Sequence, residues 1–109
     1  MGEKKVTLKL DIDGSYGRRK KWEIAKRLMM IKKFTGASGF KIKEEKSKHG
    51  YHVYIEFDPK IEVDDKDVVF FQLLLLSDWK REFFNWVRVK HKLPHWNILF
   101  KRKVREVKR

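Results

Sequence analysis

Two aspartates and a histidine are the residues of this chain whose types and spacing best suit chemistry. Asp11 and Asp13 stand two apart within residues 8–13 (LKLDID), and His52 enters the alternating pattern of residues 47–57 (SKHGYHVYIEF). Residues two apart on an extended strand share a face. Both carboxylates therefore point one way, while Leu8, Leu10 and Ile12 point the other. In the second segment Tyr51, Val53, Ile55 and Phe57 form the apolar row and leave His52, Tyr54 and Glu56 opposite. If the two strands are neighbours, Asp11, Asp13 and His52 meet on one uncovered sheet face that is otherwise basic, a surface suited to polyanions. Plainer readings stay open at this point. Aspartates ahead of a glycine such as Gly14 initiate turns, and a strand histidine can simply be solvated or pair across the sheet.

The charge balance points the same way. The 109 residues contain 28 Lys and Arg against 15 Asp and Glu, a net charge of +13. For so basic a small domain nucleic acid is the commonest partner; an acidic protein or an anionic membrane surface is the competing reading. The charge is segregated. Residues 18–33 and 101–109 are rich in Lys and Arg, and residues 56–67 are acidic. No cysteine is present, which removes disulfides, thiol catalysis and cysteine-ligated metal centres. No apolar run reaches the ~20 residues of a membrane span, and the first residues lack a signal peptide's apolar region. The expectation is therefore an intracellular, cytoplasmic protein of one domain over residues 1–109. Its composition, rich in Lys and Glu, resembles thermophile usage.

Positioning those side chains requires a sheet. Residues 6–13 alternate as a strand, residues 14–17 (GSYG) form a turn, and residues 18–34 carry Ile24, Leu28 and Ile31 on one helical stripe. Gly36 suits a left-handed helix cap. Phe40 and Ile42 alternate with Lys41 and Lys43 in a second strand, and residues 46–50 form a hairpin loop into the third. Pro59 ends that strand. Asp64, Asp65 and Asp67 suit a helix N-terminus, so the apolar run 68–76 (VVFFQLLLL) reads as helix in preference to buried strand, forming core or a homodimer seam. Ser77 and Asp78 interrupt it and cap a further helix over residues 79–90. After Pro94, residues 96–104 (WNILFKRKV) read as a last strand and residues 105–109 as a disordered tail. The order βαββαβ is that of a ferredoxin-like, RRM-like α+β domain, an antiparallel sheet with helices on one face.

On these residues the chain resembles the palm of the archaeo-eukaryotic primase and primase–polymerase superfamily. Such palms carry Asp-x-Asp on an early strand, matched by Asp11 and Asp13, and an S-x-x-G-aromatic-His hairpin, matched by Ser47, Gly50, Tyr51 and His52. Residues 77–90 and 97–103 also resemble small proteins of archaeal viruses and plasmids that share the hairpin. The resemblance implies that Asp11 and Asp13 hold Mg²⁺ or Mn²⁺, hard cations that take carboxylate and phosphate oxygens, and that His52 contacts a nucleotide's phosphates. The family's third carboxylate has no counterpart in residues 96–104. A reduced palm that binds nucleic acid is the implied function, with metal-dependent nucleotidyl transfer or nuclease action, and a host-directed protein-binding factor, as alternatives.

Around this centre, Ser47, Arg18 and Lys20 join His52 as candidate phosphate contacts; residues 14–17 ahead of the basic helix either cradle a phosphate or form an ordinary turn. Lys41, Lys43, Lys101 and Lys103 are candidate backbone contacts, and Tyr54 is the aromatic placed to stack on an unpaired base. RNA-recognition motifs use the same fold and face but carry aromatics on both central strands, where this first strand has Lys9, Asp11 and Asp13.

Overall fold

The computed structural model describes residues 5–97. Their order is β1 (Val6–Asp13), α1 (Arg18–Thr35), β2 (Lys41–Lys46), β3 (Gly50–Phe57), α2 (Asp65–Leu74) and α3 (Trp79–Lys90). The three strands form an antiparallel sheet in the order β1-β3-β2. This α+β arrangement is compatible with a ferredoxin-like fold but has one strand fewer than βαββαβ among the described residues.

Three helix boundaries follow from local chemistry. Gly36 ends α1 in the left-handed region at φ 77° and donates its N–H to Lys32 O. Asp64 caps α2 by accepting from Asp67 N–H while the Asp67 carboxylate accepts from Asp64 N–H, a reciprocal capping box. Asp78 caps α3 by accepting from Arg81 N–H at 3.2 Å. Strand alternation sends Leu8, Leu10 and Ile12 to one face of β1, and Val53, Ile55 and Phe57 to the same face of β3. Ile24, Leu28 and Ile31 of α1, with Val68, Phe71 and Leu75 from the α2 segment, complete the core against that face.

The expected fourth strand is not seen where it begins. Trp96 and Asn97 are not in a strand; the remainder of residues 96–104, and the tail at 105–109, lie outside the described residues. A fourth strand of a ferredoxin-like sheet would pair with the outer edge of β1. That edge is occupied differently. Lys9 N–H donates to Gln72 Oε1 at 2.8 Å and Asp11 N–H to Ser77 Oγ at 2.9 Å. Asp11 O accepts from Asp78 N–H at 2.7 Å, and Lys9 O from Arg81 Nη1 at 2.9 Å. Side chains and one backbone amide from α2, α3 and their junction thus satisfy the donors and acceptors that an edge strand would otherwise expose. Among the described residues no helix is long and apolar enough to cross a membrane.

Candidate functional site

The strand register places Asp11 and Glu45 on either side of His52, one on each neighbouring strand. His52 Nε2 lies 3.8 Å from Asp11 Oδ1. That is longer than a hydrogen bond, and it becomes an ion pair when the imidazole is protonated. The adjacent cross-strand row on the same face is Lys9–Tyr54–Lys43. Tyr54 is half-buried and its hydroxyl meets Glu45 Oε1 at 3.4 Å, while Lys43 is exposed. A further row sets Glu56 between Thr7 and Lys41. The polar face therefore reads, row by row, as acid–imidazole–acid and then lysine–tyrosine–lysine.

The expected trio is only partly assembled. Asp11 and His52 share the face and meet. Asp13 stands at the strand's end opposite Gly50, exposed to solvent. His52 was expected on an uncovered surface, yet only 4% of its area is accessible. A residue at the centre of the middle strand, flanked on both sides, keeps little contact with water.

Burial raises the Asp11 carboxyl above the ordinary aspartate range. His52 and Arg81 oppose that rise, and Asp13 and Asp78 reinforce it. Four charged or ionisable groups thus share one field around Asp11. Arg81 is itself buried, which pulls its guanidinium below the usual range against the support of Glu82 and Asp11.

Arg81 belongs to a polar cluster that sequence reasoning did not assemble. Glu82, 1% exposed, accepts from Gln72 Nε2 at 2.8 Å, Ser77 Oγ at 2.7 Å, Asn85 Nδ2 at 3.1 Å and Arg81 Nη1. Asn97 Oδ1 accepts from Arg81 Nη2 at 2.8 Å and Gln72 Nε2 at 3.1 Å, and Asn97 Nδ2 returns a bond to Gln72 Oε1 at 2.7 Å. Among the described residues no buried side-chain polar atom lacks a partner. The signal was present in the sequence: Arg81, Glu82, Asn85 and Arg88 fall at helical spacing on one side of α3.

The other candidates fall around this centre. Ser47 sits in the β2–β3 turn, where its N–H donates to Gly50 O at 2.8 Å. Gly50 is required by packing, because a Cβ there would lie 1.9 Å from Ile12 O. Lys20 Nζ donates to Asp13 O at 3.3 Å, bringing the start of α1 to the Asp13 end of β1. Arg18 is exposed at the first position of α1, and Lys41 is exposed on β2. Lys101 and Lys103 lie outside the described residues. Gly14, at φ 77°, makes residues 14–17 a glycine-dependent turn.

Among the described residues no three His, Asp or Glu side chains gather to hold a metal ion. A Mg²⁺ or Mn²⁺ at Asp11 and Asp13 would draw its other oxygens from water and substrate phosphates. Comparison with known proteins finds no family model, no curated protein and no solved structure that matches this chain.

Proposed function

We propose that this domain binds nucleic acid or nucleotides on the polar face of its sheet, as a reduced primase–polymerase palm serving replication of a virus or plasmid in a thermophilic archaeon. The observation that carries the reading is the cross-strand row Lys9–Tyr54–Lys43 beside the Asp11–His52 pair. A phenol ring on the middle strand, with the exposed Lys43 beside it, suits one nucleotide unit, the base against the ring and a phosphate against the ammonium; the Lys9 ammonium donates to Asn97 O at 3.2 Å. Lys41 on the same face extends the track, and Arg18 and Lys20 extend it toward the start of α1. The raised carboxyl of Asp11 lessens the repulsion that a fully ionised carboxylate would offer a phosphate.

Fluorescence anisotropy with labelled single-stranded DNA and RNA tests this directly. With about five phosphate contacts, log K should fall against log salt with a slope of about −3.5. Lys43→Ala should make the slope shallower by about 0.7. Tyr54→Ala should weaken binding by ~1–3 kcal/mol and leave the slope alone. A response flat in salt would sink the reading and favour a protein-binding factor. The nucleotidyl-transfer alternative rests on Asp11: product formed from Mn²⁺, template and nucleotides should vanish in Asp11→Ala.

A further inference from the structure

Helix α3 is built inside out. The side chains it buries are Arg81, Glu82 and Asn85, at 7%, 1% and 0% exposure, whereas Trp79, Phe83 and Trp86 are 65%, 54% and 42% exposed. Trp79, Phe83, Trp86 and Lys90 follow one another at intervals of four, three and four residues along the helix. That is the a/d spacing of a helix–helix seam, with Phe84, 55% exposed, flanking it beside Phe83. The Phe83 and Trp86 rings stack at 6.5 Å, and the Lys90 ammonium lies 5.3 Å from the centre of the Trp86 ring. Glu82 is buried, so no carboxylate of α3 reaches the outer face.

From this we infer that α3 is a dimer seam whose occupant is α3 of a second copy, packed antiparallel about a two-fold axis between residues 84 and 85. In that register Phe83 meets Trp86 of the other copy, and Trp79 meets the other copy's Lys90, an ammonium on an indole face. A parallel pairing would instead set Lys90 against Lys90. The antiparallel sense is therefore the one in which the seam complements itself, and each contact is made twice, as in any two-fold interface.

The apolar area is appreciable. At roughly 150–250 Å² per large side chain, the half-exposed Trp79, Phe83, Phe84 and Trp86 offer on the order of 400 Å². A monomer's largest apolar patch is typically about 300–600 Å², and a standard interface takes about 800 Å² per partner. The stems of the exposed Lys80 and Lys90 flank the aromatics and add to their area. The inference does not depend on the nucleic-acid reading, because the seam and the sheet's polar face share no residue.

Sedimentation equilibrium of the full chain across a wide concentration range should show a reversible dimer that tightens, or holds, as salt rises, since the contact is apolar and the copies carry like charge. Trp86→Glu should weaken dimerisation by about 100-fold or more, because a two-fold interface feels each substitution twice. Its circular dichroism and melting curve at monomer concentrations should match the parent. Since the chain lacks cysteine, Phe83→Cys and Trp86→Cys can be mixed and oxidised; the crosslinked heterodimer should exceed either homodimer. A monomer at every concentration, a dimer indifferent to Trp86→Glu, a dimer loosened by salt, or homodimeric crosslinks in excess would each overturn the proposal. So would a monomer whose Trp86→Glu variant loses binding to anionic vesicles or to single-stranded DNA.

Discussion

Helices α1 and α3 bury opposite chemistries. α1 turns Ile24, Leu28 and Ile31 into the core and presents Lys26 and Lys33, together with Trp22, Met30 and Phe34, to water. α3 turns Arg81, Glu82 and Asn85 inward and presents Trp79, Phe83 and Trp86. The difference lies in what each helix meets. α1 packs on the apolar face of the sheet, where every inward position gains by excluding water. α3 meets the edge of β1, a row of backbone N–H and C=O groups for which apolar side chains would be useless. Arg81 answers Lys9 O there, and Glu82 orients the Gln72 and Ser77 that answer Lys9 and Asp11 N–H. Which residues a helix buries is set by the surface opposite it.

Removing one key residue from each interior would sharpen that contrast. Glu82→Ala leaves the Arg81 guanidinium buried without its carboxylate and should cost ~3–5 kcal/mol in denaturant unfolding. Leu28→Ala in the α1 interface should cost ~2–5 kcal/mol through a cavity. Their temperament should differ: losing Glu82 should also speed hydrogen exchange at the Lys9 and Asp11 amides, whereas losing Leu28 should not single out that edge. Equal protection of those amides in both variants would break the comparison.

A smaller effect is expected at the junction. Asp78→Ala removes the α3 cap and should cost ~1 kcal/mol, with the Asp78 backbone amide still bound to Asp11 O. Least disruptive is Asp11→Asn. Because the folded Asp11 carboxyl is raised above its unfolded value, its contribution to stability is full below the unfolded value and is lost as pH rises through the folded one. The Asn variant should therefore lose less stability than the parent between mildly acid and neutral pH. Melting curves over that range that stay parallel for the two proteins would contradict this.

Much of the fold was legible because its signals are local. Gly36, Asp64 and Asp78 mark helix ends through the conformations and hydrogen bonds of one or two residues, and strict alternation in residues 6–13 and 51–57 fixes which side chains face the core. The meeting of Asp11 and His52 followed from alternation plus the neighbour relation of β1 and β3. What could not be read is non-local. The burial of His52 depends on both flanking strands, and the occupation of the β1 edge by Gln72, Ser77, Asp78 and Arg81 joins residues more than sixty positions apart. Hydrophobic patterning alone would turn the aromatic stripe of α3 inward. Only the location of that helix beside the edge of β1 reverses the assignment.

Gly50 has a consequence for the centre two residues away. β1 and β3 approach so closely there that the Ile12 carbonyl occupies the space of a Cβ. Sliding β3 by one position in either direction would bring His49 or Tyr51, each with a side chain, into that gap. The strands are thus pinned at a single notch, and the facing of Asp11 with His52 is held by the one residue in the hairpin that has nothing to offer a ligand.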